Sequence, residues 1–120
     1  MHEMRIGVDL THTSRFTRIF EKHGERFVRR FLSEEEILLW RVSSSPDRFL
    51  ASRWSAKEAL TKAIGTKLPF SGVQVESSGK SAPMFRAVSE EWKRELAGTT
   101  GVSLSISHDL DLAIAMVAVR

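Results

Sequence analysis

Val102-Ser-Leu-Ser-Ile-Ser-His-Asp-Leu-Asp-Leu-Ala-Ile-Ala-Met-Val-Ala-Val119 is the clearest sheet signal in this chain of 120 residues. Val102, Leu104 and Ile106 alternate with Ser103, Ser105 and Ser107. That period of two sends apolar side chains to one face of a strand and polar ones to the other. Leu112 to Val119 is an apolar run of strand length. Only Asp109-Leu-Asp111 joins the two segments, and so short a link forces an antiparallel hairpin, because a parallel partner needs a long crossover. The same run is the longest uninterrupted apolar stretch, and it is too short for the ~20 residues a spanning helix needs.

Working outward, Ile6, Val8 and Leu10 alternate with Arg5, Gly7 and Asp9, which predicts a first strand with Asp9 opposite the apolar three. Phe16, Ile19, Phe20, Phe27 and Phe31 recur at helical spacing, with Gly24 as an interruption or bend. Ser33 and Glu36 have the spacing of a capping box opening a short helix to about Trp40. Ser45 as a cap and Pro46 at the first helical position predict a helix running to about Ile64, stopped by a left-handed Gly65. Val73 and Val75 begin a strand, Ser77-Ser-Gly-Lys80 is a turn, and Met84 to Ala87 is its partner. Ser89 caps a last helix with Glu90 and Glu91 in its first turn, ended by Gly98. The order predicts an α+β fold, a single domain over 1–120 with a mostly antiparallel sheet packed with helices.

Composition narrows the chemistry. There are no cysteines, which removes disulfides and thiolate metal sites. Net charge is +3, but Arg15, Arg18, Lys22, Arg26, Arg29 and Arg30 face only Glu21 and Glu25 in their segment, a local balance of 6 − 2 = +4. Such a patch suits an acidic partner. Met1-His-Glu-Met-Arg5 has no basic-then-apolar leader pattern, and a cytoplasmic protein without a membrane segment is the simplest expectation.

In Arg53-Trp-Ser-Ala-Lys-Glu-Ala-Leu-Thr-Lys62, Glu58 precedes Lys62 by one helical turn. Taken alone, an i, i+4 pair is usually a surface contact worth about 0.2–0.5 kcal/mol. Arg53 and Lys57 on the same helix raise the cation density to one that suits a ligand with several phosphates. Trp54, Glu58, Thr61 and Lys62 are expected on one broad face. Should Asp9 meet Glu58, two carboxylates with open positions would suit Mg²⁺, which binds through one or two acids plus substrate phosphates. His108 ends a strand, where a histidine is more often structural than catalytic. No triad or histidine cluster is spaced for nucleophilic or zinc chemistry. Ser78-Gly-Lys-Ser81 lacks the first glycine of a phosphate loop, since position 74 is Gln74.

Three ordered segments resemble the short bacterial holo-acyl-carrier-protein synthase type of 4′-phosphopantetheinyl transferase. They are Ile6-Gly-Val-Asp-Leu10, Arg53 through Gly65, and Leu104-Ser-Ile-Ser-His108 with its alanine-rich final strand. Arg30-Phe-Leu-Ser-Glu-Glu-Glu36 is similar to the family's stretch after the first helix. The resemblance implies transfer of the phosphopantetheine arm of coenzyme A to a serine of apo acyl carrier protein, in fatty-acid biosynthesis. It implies Asp9 and Glu58 as Mg²⁺ ligands and Lys62 near the substrate phosphates, with Glu58, Lys62 and Asp9 the catalytic set. Arg53, Lys62, Gly65 and His108 are implied against coenzyme A. Glu58 and a water on the ion stand as alternatives for taking the serine proton. Arg15, Arg18 and Arg26 become the expected contacts of the acidic carrier, and a homotrimer with sites between subunits is implied. The loop Thr66-Lys-Leu-Pro-Phe-Ser71, the residues between Lys80 and Pro83, and Trp54 depart from the family pattern. The alternatives are a non-enzymatic basic module binding nucleic acid through Arg15–Arg30, which lacks a stacking strip or named motif, and a metal-dependent phosphohydrolase.

Overall fold

The computed structural model describes residues 3–77 and 82–120. The elements run β1 (Arg5–His12), α1 (Thr13–His23), α2 (Glu25–Val28), α3 (Glu34–Arg41), α4 (Pro46–Ile64), a 3-10 turn at Phe70–Gly72, β2 (Val73–Glu76), β3 (Met84–Ala87), α5 (Glu90–Ala97), β4 (Val102–Asp109) and β5 (Leu112–Val119). Two antiparallel sheets result, one of three strands in the order β1-β5-β4 and one formed by β2 and β3. Within the described residues no helix is long and apolar enough to cross a membrane. The Ser78-Gly-Lys-Ser81 run and the turn expected there lie outside the described residues.

The hairpin forms as its pattern requires. β4 pairs with β5 from Val102 opposite Val119 to Asp109 opposite Leu112, leaving a two-residue turn in which Leu110 takes φ 53°. The turn does more than reverse the chain. Asp111 accepts from the Ser14 backbone N–H and hydroxyl, each at 2.9 Å, and its carbonyl accepts from Thr13 N–H at 2.7 Å. A carboxylate here satisfies the open N–H groups at the start of α1, which has no side-chain cap from its own preceding residue.

The capping box is present as read: Ser33 Oγ accepts from Glu36 N–H, and Glu36 Oε1 accepts from Ser33 N–H at 2.9 Å. Gly65 ends α4 at φ 76° with its N–H on the Thr61 carbonyl at 2.8 Å. One local reading is corrected. Ser45 makes no side-chain cap bond; Pro46 opens α4, and the Ser43 hydroxyl instead accepts from Ser45 N–H. Gly24, at φ 64°, interrupts the phenylalanine-rich segment, dividing it into α1 and α2.

α4 is the spine. Its alanines at 56, 59 and 63 are buried against the three-stranded sheet, in a core completed by Leu60, Trp92 and Val117. On its other side, Phe16, Phe31, Trp54 and Phe70 form an aromatic cluster with ring centroids 5.4–5.9 Å apart. Trp54, expected beside Glu58 and Lys62, belongs to that cluster, because an indole gains more from aromatic burial than from a polar face.

β1 is oriented against its own hydrophobicity. Gly7 and Thr11 are buried toward α4 with Asp9 half-buried beside them, while Ile6, Val8 and Leu10 are 62%, 49% and 59% exposed. They pair across the sheet with Ala118, Met116 and Ile114, so this outer face is a continuous apolar surface. The strand turns this way because only Gly7 fits against α4. A Cβ there would overlap the Ala59 carbonyl oxygen and press on Ala63 N.

Gly7→Ala is expected to lose about 3 kcal/mol, at or beyond the upper end for overpacking. Gly101→Ala, whose Cβ meets nothing within 4 Å, should stay within about 0.5 kcal/mol of the parent. Urea unfolding of both variants checks this, and equal stability would mean that the close approach is not tight.

Candidate active site

β1 crosses α4 antiparallel. Arg5 Nη1 donates to the Ile64 carbonyl at 3.1 Å, Gly7 rests on Ala59 and Ala63, and Lys62 Nζ donates to the Val8 carbonyl at 3.0 Å. Each step of two residues along the strand advances about 6.6 Å. Asp9 is thereby carried alongside the turn of α4 that bears Glu58 and Lys62. Lys62 Nζ is 3.5 Å from Asp9 Oδ1, and Thr11 Oγ1 donates to Asp9 Oδ2 at 2.8 Å. The Asp9 side chain is only 15% exposed, so it is held from both sides rather than freely solvated. Glu58 is half-buried on α4, one turn before Lys62.

The donor set fits a hard divalent cation. Two carboxylates from different elements, one oriented by a hydroxyl and a nearby ammonium, leave most coordination positions to water and to a ligand's oxygens. Among the described residues no group of three or more His, Asp or Glu converges, so a fully protein-made cage is absent there. A two-acid site of this kind favours Mg²⁺ carrying an anionic ligand over zinc or calcium.

A second basic group lies at the hairpin end. Burial lowers the His108 pKa below its usual value, and the charges of Arg48 and Arg53 lower it further. His108 pairs in the sheet with Ala113, whose carbonyl accepts from Ser55 of α4 at 3.5 Å. This contact brings the hairpin against the first half of α4. Arg53 stacks over Phe49, with its guanidinium carbon 3.9 Å from the ring centroid, and Nη1 donates to Ser52 Oγ at 3.3 Å. Burial depresses its pKa, against the pull of Glu36, and its buried Nε has no partner among the described residues. A mostly buried guanidinium with an unused donor is suited to an anion.

The expected residues therefore fall into separate groups. Asp9 and Lys62 are in contact, with Glu58 one turn away; Arg53 and His108 are neighbours; Gly65 closes the end of α4 beyond Lys62. Arg15, Arg18 and Arg26 are all exposed on α1 and α2, with the Arg15 guanidinium 5.7 Å from the Trp54 ring centroid. Lys80 lies outside the described residues.

Lys57 is a correction. Counted among the cations for a phosphate ligand, it is fully buried and bonded to Glu36 Oε1 at 2.6 Å and to the carbonyls of Phe31 at 2.5 Å and Phe70 at 3.0 Å. Its burial pushes the ammonium pKa down to about 8, against the opposing pull of Glu36. Gly7 was quoted within a motif, but not for its close backbone approach, which a glycine inside an apolar strand can mark. Two residues near the site were not singled out from sequence. Thr11 shares Asp9's face by the period of two. Arg48 had no signal, since its neighbour His108 is distant in the chain.

Comparisons with known proteins agree with one another. A model of the 4′-phosphopantetheinyl transferase superfamily matches residues 5–115. A holo-[acyl-carrier-protein] synthase from Nitrosospira multiformis is 45% identical over 119 residues, covering 93% of this chain and 94% of the relative. The crystal structure of holo-[acyl-carrier-protein] synthase from Neisseria meningitidis superposes with TM-score 0.89 at 31% identity, covering 97% of each chain. The Helicobacter pylori holo-[acyl-carrier-protein] synthase, solved in complex with coenzyme A, gives TM-score 0.80 at 29% identity, covering 96% of this chain and 99% of that one.

The lowered His108 pKa has a definite sign. The unfolded chain binds a proton near pH 6.5, before the folded one does, so His108 contributes full stability above that pH. The contribution falls as pH drops from 6.5 through the lowered folded value, below which both states are protonated. Imidazole proton NMR should show a His108 midpoint below 6.5, and Arg48→Ala should move it upward. No movement in that variant would show that the Arg48 charge does not reach the ring.

Proposed function

The chain belongs to the 4′-phosphopantetheinyl transferase superfamily, and from that premise we propose that it acts as a holo-[acyl-carrier-protein] synthase. It moves the 4′-phosphopantetheine group of coenzyme A to a serine of apo acyl carrier protein, in support of fatty-acid biosynthesis. The observation that carries the reading is the delivery of Asp9 by β1 to the Glu58–Lys62 turn of α4, held by the Val8 carbonyl and the Asp9 carboxylate against Lys62.

In the reaction the serine hydroxyl gives up its proton, to Glu58 or to a water, and its oxygen forms a bond to the phosphorus bearing the pantetheine arm. The bond from that phosphorus to the bridging oxygen breaks, and adenosine 3′,5′-bisphosphate leaves with that oxygen. Asp9 and Glu58 would hold Mg²⁺. The ion, when bound, supplies positive charge to the diphosphate. Lys62 adds a fixed ammonium beside the same charge, with its orientation set by the Val8 carbonyl. Arg53 and His108 would bind the nucleotide end of coenzyme A, where a guanidinium fork and an imidazole N–H suit phosphate and base edges. Gly65 lets backbone approach the ligand at the end of α4.

The carrier would dock on α1 and α2. Ile19, His23, Arg26, Phe27 and Arg30 line a groove of about 360 Å³ there, apolar at its floor and basic at its rim. That combination suits an acidic amphipathic helix. Arg15, Arg18 and Arg26 are the proposed contacts. The outer sheet face, with Val8 and Met116 exposed side by side, supports association of copies. We assign a homotrimer with sites between subunits, working in the cytoplasm without membrane or nucleic-acid partners.

Incubation with coenzyme A, Mg²⁺ and an apo carrier should add the phosphopantetheine mass to the carrier. Glu58→Gln should lower that rate by about 10² or more, the scale of losing charge stabilisation in phosphoryl transfer. Full activity in that variant would remove Glu58 from the metal site.

Val8→Asp should shift the protein from an assembly to monomers in analytical ultracentrifugation and abolish transfer. An unchanged sedimentation coefficient would place the contact between copies elsewhere.

A further inference from the structure

We propose that Lys57 and Glu36, which never touch substrate, are positioning residues for Glu58 and Lys62. The buried pair fixes where α4 stands along its axis and how far it is turned about it. The inference rests on the functional reading above.

The geometry is that of a three-point anchor. An ammonium has three donors, and all three of Lys57's are used, toward three separate segments. One bond goes to the Phe31 carbonyl just after α2, one to Glu36 of α3, and one to the Phe70 carbonyl in the 3-10 turn. Glu36 is equally engaged: Oε1 also accepts from Ser33 N–H at 2.9 Å, and Oε2 accepts from Val75 N–H of β2 at 3.0 Å. Both side chains are sealed, at 0% and 1% exposure, so neither is available to a ligand.

Against β1, α4 presents small residues, while Leu50, Leu60, Ile64 and Trp54 fill the cores on either side by non-directional packing. Gly7 lies on Ala59 and Ala63, and Ala51 and Ala56 are fully buried. Methyl groups exclude water well but oppose rotation weakly, whereas bonds of fixed direction oppose it strongly. Glu58 leaves the helix about 100° from Lys57, so any turn of Lys57 is transmitted to it in full. At a side-chain radius of about 5–6 Å, a 20° rotation displaces the carboxylate by about 2 Å. A 1 Å misplacement already costs on the order of 10² in rate. Retaining a buried ion pair for a unique arrangement rather than for stability is the role such pairs are best suited to.

The experiment separates positioning from mere stabilisation. Glu36→Gln keeps the shape and one acceptor oxygen, and Glu36→Asp keeps the charge but withdraws the anchor by one methylene. Leu96→Ala is the control, because it removes an α5 side chain packed against the sheet-side core and so weakens the fold without touching the anchor segments. Each full-length variant is assayed with coenzyme A, Mg²⁺ and apo carrier, at a temperature where its thermal unfolding curve shows it fully folded. Mn²⁺ affinity is measured separately by electron paramagnetic resonance. The Glu36 variants should lose about 10- to 100-fold in kcat, keep KM for coenzyme A within about threefold, and bind Mn²⁺ about tenfold more weakly, the scale on which ligand-orienting groups act. Leu96→Ala should keep both kcat and Mn²⁺ affinity. Glu36 variants that match Leu96→Ala in both measurements would overturn the proposal. If Glu36→Gln does not fold, Glu36→Asp decides alone. A parent protein that neither transfers nor binds Mn²⁺ would sink the functional reading instead.

Discussion

The architecture depends on one place where two backbones meet without a side chain between them, at Gly7 against Ala59 and Ala63. Strand β1 comes close enough to α4 that a single methyl group would overlap a carbonyl oxygen. Because of that approach, the face of β1 bearing Gly7, Asp9 and Thr11 is the one turned inward. The strand's apolar residues are sent outward as a consequence. Local hydrophobicity argues for the opposite facing, and it is overridden because the glycine-bearing face is the one that can come this close to α4.

The same contact builds the site. A strand and a helix crossing antiparallel carry their side chains past one another, so the residue two positions after Gly7 comes beside Lys62. Asp9 is thereby set beside Lys62, with Thr11 holding its second oxygen. On the far side of α4, Lys57 and Glu36 tie the helix to α2, α3, the 3-10 turn and β2. Removing one partner of such a pair costs about 3–5 kcal/mol, since the other is left charged and unpaired in the interior. The aromatic cluster around Trp54 fills the remaining space by burial and edge-on ring contacts. Helix α4 is thus gripped on opposite faces, by small-residue packing and the Lys62 and Arg5 bonds on one and by the sealed Lys57–Glu36 pair on the other.

The outward face of β1 and β5 links structure to assembly. Ile6, Val8, Leu10, Ile114 and Met116 form an apolar surface on a sheet whose third strand offers serines. A chain of this size has a limited core, and setting apolar residues outside it makes sense where copies cover them. The basic surface of α1 and α2 lies on separate elements from this apolar face.

Much of this was legible from local pattern. Element types, their order, the capping box at Ser33 and Glu36, the Gly65 stop and the β4–β5 hairpin all follow from periodicity and end signals, because those depend on residues within a few positions of each other. The acids and cations proposed for the site were named through the resemblance of three ordered motifs. What escaped local reading were relations between segments far apart in the chain. Lys57 looked like one more cation for phosphate and is instead a sealed anchor, because its acceptors come from Phe31, Glu36 and Phe70. The facing of β1 was likewise unreadable, since alternation states which residues share a face but not which face the core will take. Arg48 joined His108 only through the docking of the hairpin on α4. Short-range chemistry set the pieces and their ends; long-range packing, which no window of sequence contains, chose their faces, their partners and the meeting of Asp9 with the Glu58–Lys62 turn.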